Sequence, residues 1–269
     1  MIKTNFLILT LLLTFPLYSY AQAELESAVA ELNKGEYETA LKKMLPLANA
    51  GNAKAQNMIG FMYYRGLGVD QSYIEAIKWY RKASDLGFAD AQTNLGLMYQ
   101  VGQGVEQNLA EALKWFQKAA DQGYANAQYL LASMYHEGQG IHQDYAKAMD
   151  LYLKAANQGL SFAQADLGSM YQNGQGVQQN YGEAIKWIQK AADQGYPVAM
   201  FLLANTYMHG LGTKKDLIQA YAWYGLAAAG GIKMAGALRS KLEPRLTPDQ
   251  LAEALKLAKK LRDKIQGSH

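Results

Sequence analysis

The chain has 269 residues, of which 18% are charged; 26 basic and 23 acidic side chains leave a formal net charge of +3. The two signs are interleaved at spacings such as Glu111 to Lys114 and Glu183 to Lys186, as on ordinary solvated helix faces. No basic stripe for nucleic acid is present. Cysteine is absent, which excludes a disulfide framework and leaves stability to a packed core.

Lys3 supplies a short positive region, Phe6 to Leu17 an apolar one, and Ala21-Gln22-Ala23 a small-x-small cleavage site before Glu24. These three parts predict a secretory signal peptide over residues 1–23. The apolar run is shorter than the roughly 20 residues that span a bilayer, and no later segment approaches that length, so no transmembrane segment is predicted. No cysteine follows the apolar run to take a bacterial lipid anchor. No Asn-x-Ser/Thr acceptor or reticulum retention tetrapeptide occurs. Together these features predict a periplasmic or secreted bacterial protein.

Residues 24–50 read as an opening helical hairpin, with a turn at Asn33-Lys34-Gly35 and a second helix carrying Tyr37, Ala40 and Leu41. From there glycine returns at Gly51, Gly87, Gly123, Gly159, Gly195 and Gly231, always 36 residues apart. A fixed period of this size signals a unit that cannot bury its apolar face without stacked neighbours. Other phases agree: Ile59, Leu95, Leu131, Leu167 and Leu203, each followed by glycine or alanine; Tyr63, Tyr99, Tyr135, Tyr171 and Tyr207; Trp79, Trp115, Leu151, Trp187 and Trp223.

In one unit Ala91, Leu95, Gly96, Met98 and Tyr99 share a helical face and define helix A. Ala112, Leu113, Trp115, Phe116 and Ala119 form the stripe of helix B, which ends at Asp121-Gln122-Gly123 with a glycine suited to a left-handed closing residue. Between the helices stands a glycine pair such as Gly102 and Gly104. A phosphate-cradling loop would need a preceding strand or a Gly-Lys-Ser/Thr ending; five copies in phase instead predict a backbone turn. The small residue after each helix A leucine predicts a close helix crossing. Past the last glycine, Thr247-Pro248-Asp249-Gln250 is a helix start with a capping threonine and a proline at the first helical position. Leu251, Leu255, Ala258 and Leu261 then oppose Lys256, Lys259, Lys260, Arg262 and Lys264, the pattern of a terminal cap with a polar outer face.

The run Ala-Gln-x-x-Leu-Gly-x-x-Tyr-x-x-Gly-x-Gly-Val from Ala91 to Val105, with Ala-x-x-Trp-Phe-x-x-Ala-Ala-x-x-Gly from Ala112 to Gly123, resembles the Sel1-like repeat, a relative of the tetratricopeptide repeats. The resemblance implies an all-α right-handed superhelical solenoid. Residues 24–50 are then an N-terminal tetratricopeptide-like hairpin, 51–231 five full units of 36 residues, and 232–269 an incomplete last repeat with a C-terminal capping helix. The repeat glutamine gives way to Met200 and Gly236 toward the end. The implied role is a non-catalytic scaffold or adaptor, in some pathogens with a host-interaction role.

No catalytic, metal or cofactor site is expected. His136-Glu137 and His142 do not reproduce a zinc-protease helix, because the histidines are six apart across a glycine turn. No serine has lysine three residues later, as a penicillin-recognising hydrolase would need. Some cysteine-rich Sel1-like proteins are described as β-lactamase-like, but their repeated cysteines are missing here. An envelope enzyme acting on cell-wall or β-lactam substrates is the alternative class. The main expectation is a protein or peptide partner held on the variable helix A face, the concave face in the tetratricopeptide superfamily. Its candidate contacts are Phe61, Tyr64, Arg65, Thr93, Leu97, Tyr129, His136, Glu137, Phe162, Phe201, Asn205 and His209, several of them aromatics of the kind enriched in binding hot spots.

Overall fold

The computed structural model describes residues 20–267, which are helices and short turns with no strand among them. The signal-peptide reading falls mainly on residues outside these; its cleavage motif, Ala21 to Ala23, lies in the first turn of α1, which covers residues 20–34. Thereafter come α2 (Tyr37–Asn49), α3 (Ala53–Arg65), α4 (Tyr73–Asp85), α5 (Ala89–Val101), α6 (Leu109–Asp121), α7 (Ala125–Glu137), α8 (Tyr145–Asn157), α9 (Ser161–Asn173), α10 (Tyr181–Asp193), α11 (Pro197–His209), α12 (Leu217–Ala229), α13 (Lys233–Leu242), a 3-10 turn (Glu243–Arg245) and α14 (Pro248–Gln266). Two compact units result, one ending at Tyr124 and the other starting at Ala125. In the first, α3 lies along α4 and α5 along α6; in the second, α7 pairs with α8, α9 with α10 and α11 with α12.

The small residue after the helix A leucine sets the closeness of each pair. A Cβ on Gly60 would come within 2.7 Å of the Tyr80 ring, one on Gly96 within 2.6 Å of Phe116, and one on Gly168 within 2.5 Å of Ile188. Each is inside van der Waals contact, so bulk there would push the helices apart. Around this crossing the in-phase residues are buried: Ile59, Leu95, Leu167 and Leu203 are fully covered and Leu131 is 1% exposed.

The glycine pair makes a turn whose two members have different jobs. Gly66, Gly102, Gly174 and Gly210 are left-handed caps that close helix A. The second glycine brings the loop onto the first turn of the preceding helix B: a Cβ on Gly104 would lie 2.8 Å from the Tyr73 carbonyl carbon, and one on Gly176 2.5 Å from the Tyr145 carbonyl oxygen. The turn then delivers a capping residue to the next helix. Ser72, Asn108, Asp144 and Asn180 each accept a hydrogen bond from a backbone amide three residues on.

Neighbouring hairpins are joined through the glutamine of the Ala-Gln step. Gln56 donates to the Ala48 carbonyl (2.8 Å), Gln92 to Ser84 (3.3 Å) and Gln164 to Ala156 (3.0 Å), each at the end of the preceding helix B. Gln92, Gln128 and Gln164 in turn accept from Gln122, Gln158 and Gln194 at the end of the following one, at 2.8 to 2.9 Å. At the first glutamine the corresponding residue is Leu86, and the buried Gln56 Oε1 has no partner. An unmade buried bond costs about 1–3 kcal/mol, whereas a made one contributes about 0.5–1.5. Leu86 is 57% exposed, so replacing it removes little burial. Leu86→Gln should therefore raise stability by about 1 kcal/mol in urea denaturation; an unchanged or lowered midpoint would show that Gln56 is already satisfied by solvent.

At the C-terminus α14 starts with a reciprocal capping box: the Gln250 amide donates to Thr247 Oγ1 (3.2 Å) and the Thr247 amide to Gln250 Oε1 (3.0 Å). Its Ala254 is fully buried, while Leu251, Leu261 and Ile265 pack partly buried on the core of the second unit.

Candidate binding site

The candidate contacts divide between the two units. In the first, Phe61, Tyr64 and Leu97 line a notch of about 130 Å³ together with Tyr80, Asn94, Met98 and Gln103. Phe61 is 42% exposed, and Asn94 donates to Asn57 Oδ1 (3.0 Å), tying α5 to α3 beside it. Arg65 is exposed and outside this lining. Thr93 is a correction to the sequence reading. It is 5% exposed, with its hydroxyl donating to the Ala89 carbonyl (2.8 Å), and belongs to the core. Its phase carries Tyr129 and Phe201 in other repeats, but threonine is too short to reach the surface and turns back on its own helix.

In the second unit Tyr129, His136 and Glu137 come together in a pocket of about 300 Å³ between α7, α8 and α9, with Ser133, Tyr152, Asp166, Ser169, Asn173 and Gln175 completing the wall. Phe162 supports it from behind, its ring edge-on to Tyr129 at 4.4 Å between centroids. Tyr129 also meets Tyr152 at 5.5 Å, and His136 is edge-on to Tyr145 at 5.2 Å. Phe201 and Asn205 lie elsewhere, both on Tyr224: the Phe201 ring at 5.9 Å and Asn205 Oδ1 accepting from the Tyr224 hydroxyl at 2.6 Å. His209 is exposed.

The centre of this pocket is Asp166, a residue absent from the sequence-based candidates. Its phase holds Met58, Asn94, Leu130 and Leu202 in the other repeats, so a carboxylate here departs from four uncharged neighbours. That departure is the signal that would have found it. The Tyr129 hydroxyl donates to the carboxylate, and among the described residues no lysine or arginine forms an ion pair with it. Burial pushes the Asp166 pKa up, opposed by the Tyr129 hydrogen bond and the nearby His136, while Glu137 adds to the rise. Burial foremost, and Asp166 with it, raises the pKa of the Tyr129 and Tyr152 phenols. The site thus holds carboxylate, hydroxyl and amide acceptors between tyrosine rings, a setting suited to a cation rather than an anion.

Ser133 bonds to Glu137 (3.3 Å) and the His136 ring to Gln175 (3.4 Å). Among the described residues no group of three or more metal-ligating side chains could hold a metal ion.

The Sel1 repeat model matches residues 53–88, 89–124, 125–160, 161–196 and 197–232. The chain belongs to the Sel1 repeat family. Each matched segment contains one helix A and one helix B, from α3 and α4 to α11 and α12. A Sel1 repeat protein from Oxalobacter formigenes superposes with a TM-score of 0.77 at 32% identity, over 87% of this chain and 96% of that one. An immunity protein from Pseudomonas aeruginosa, Pa5087, shares the fold with a TM-score of 0.51 at 23% identity, over 78% of this chain and 81% of its own. No curated protein matched in a sequence comparison. The fold is therefore an all-α tandem array of Sel1 repeats, and Sel1 repeats generally act as scaffolds for protein–protein interaction. No helix among the described residues is long and apolar enough to cross a membrane.

Proposed function

We propose that this Sel1 repeat protein is a non-catalytic adaptor of the bacterial envelope, exported by a signal peptide over residues 1–23 that is cleaved after Ala23, and that it binds a protein or peptide on its helix A face. In this division residues 24–50 open the array, 51–231 carry the five repeats and 232–269 close it. Cleavage after Ala23 leaves the buried Leu25 and Ala28 of α1 in place. The observation that carries the binding reading is the pocket around Asp166: a largely buried carboxylate without a lysine or arginine partner, between tyrosine rings on the variable face. Desolvating such a group is unfavourable unless a counter-charge arrives. A lysine or arginine side chain of the partner supplies that charge, with the rings of Tyr129 and Tyr152 contacting its aliphatic stem.

The test is cross-linking capture from the cell envelope followed by mass spectrometry. A defined partner retained by the wild-type protein should fall at least tenfold with Asp166→Asn and stay unchanged with Lys114→Ala, an exposed change on α6. Equal retention by Asp166→Asn and by the notch variant Phe61→Ala/Leu97→Ala would remove the helix A face as the docking surface. The pH dependence has a definite sign. Because the folded-state pKa of Asp166 is raised, ionising it opposes folding: the penalty is absent below the ordinary carboxylate range and complete above the raised value. Asp166→Asn should thus melt above wild type at neutral pH, by a margin that shrinks on acidification. Partner affinity of the wild type should fall over that same acidic range, as protonation removes the counter-charge.

A further inference from the structure

At the other end of the array, the helix A phase of Ile59, Leu95, Leu131, Leu167 and Leu203 arrives at Arg239. A guanidinium replaces a core leucine. Two neighbours change with it: the phase of Leu41, Ile77, Leu113, Met149 and Ile185 becomes Tyr221, and that of Arg81, Gln117, Leu153 and Gln189 becomes Gly225. The three departures meet in one pocket of about 280 Å³, lined by Tyr221, Gly225, Arg239, Leu255, Ala258, Lys259 and Arg262. The four α14 residues stand at helical spacings of three, four and seven and form one face.

Gly225 lies against Arg239: a Cβ there would be in ordinary van der Waals contact with its Nε, at 3.6 Å. The guanidinium sits over the Tyr221 ring at 4.6 Å, and its Nη2 donates to the Tyr221 hydroxyl (3.0 Å), which donates on to Glu243 (3.0 Å). Its Nε is buried and has no acceptor. Among the described residues neither Lys259 nor Arg262 forms an ion pair, and the pocket wall contains no carboxylate. Three cations therefore border one cavity. Like charges gathered in this way repel unless an anion joins them, and guanidinium forks match the oxygens of a phosphoryl group.

We propose that the pocket between α12, α13 and α14 is a binding site for a phosphoryl-bearing anion. Arg239 lines its floor, and Lys259 and Arg262 line it from α14. The site is separate from the Asp166 pocket and stands whether or not a protein partner binds there. The same chemistry is offered by a soluble phosphoester and by the headgroup of an anionic lipid, and the test separates them.

Calorimetric titration of the full chain at fixed ionic strength with inorganic phosphate, pyrophosphate and glycerol 1-phosphate covers the soluble source. Co-sedimentation with phosphatidylglycerol vesicles, against phosphatidylcholine vesicles, covers the lipid one. Binding in either arm should weaken at least tenfold in Arg239→Leu, which restores the residue of the other repeats, and in the surface double variant Lys259→Gln/Arg262→Gln. The double variant keeps the test decisive should Arg239→Leu not fold. Phosphoester binding places a soluble ligand in the pocket, whereas vesicle binding alone places a membrane headgroup there. No binding in either arm would overturn the proposal. So would equal binding by the wild type and the double variant, or a response reproduced by chloride.

Discussion

Leu131→Ala should lower the stability of the protein by about 2–5 kcal/mol, the range for buried leucines truncated to alanine. Leu131 is 1% exposed on α7, beside Ala132 at the close crossing with α8, where the partly buried Tyr129 and Tyr135 also pack. Alanine leaves a void at that crossing, on the same helix as the Tyr135 carbonyl that accepts from the Asp144 amide at 2.9 Å. Urea denaturation should show the midpoint falling with little change in slope, whereas Lys114→Ala, at an exposed position, should stay within about 0.5 kcal/mol of wild type. A Leu131→Ala midpoint equal to that of wild type would contradict the burial of this position.

Gly176→Ala should be the second large loss, and Gly159→Ala is its control. Both glycines have positive φ, +71° and +94°, so both alanines bear the left-handed penalty of roughly 1–2 kcal/mol. They differ in what the methyl meets. At Gly159 nothing lies within 4 Å, while at Gly176 the Tyr145 carbonyl oxygen is 2.5 Å away and its carbon 2.7 Å. That carbonyl is backbone of the first turn of α8, so the loop itself has to lift. Gly176→Ala should therefore be less stable than Gly159→Ala by at least about 1 kcal/mol, read as the difference between their unfolding free energies. Equal losses would mean that the loop does not rest on α8.

The repeat was legible because the constraints that fix it are local and recur at one interval. Leucine, small residue and tyrosine return in phase since each copy faces the same crossing, and glycine returns where φ must be positive. The glutamine of the Ala-Gln step was visible as a motif residue, yet its role was not: its partners lie eight residues back and 30 residues on, and only the fold brings them together. The site was less legible. Variable helix A positions are a mixture of exposed and packed side chains, and the sequence does not separate Phe61, which is 42% exposed, from Thr93, which is 5% exposed. Asp166 and Arg239 were overlooked for a related reason. Each breaks a phase that is uncharged in the other repeats, which marks the position, but only the fold shows that the charge there is sheltered from solvent and demands a counterpart.

The glutamine bridges also decide how the array comes apart. Where both halves are present, a helix A side chain holds the hairpin before it and is held by the helix after it, so opening one hairpin breaks a bond in the next. Within the second unit this continuity ends at Met200 and Gly230, where both members of the bridge are replaced together; within the first it is incomplete at Gln56 and Leu86. In a linear array, stability is the sum of each repeat and its interfaces. The joints at Gln56/Leu86 and Met200/Gly230 thus lack a hydrogen bond that the bridged repeats make, and amide exchange should be faster around them than around Gln128 and Gln164.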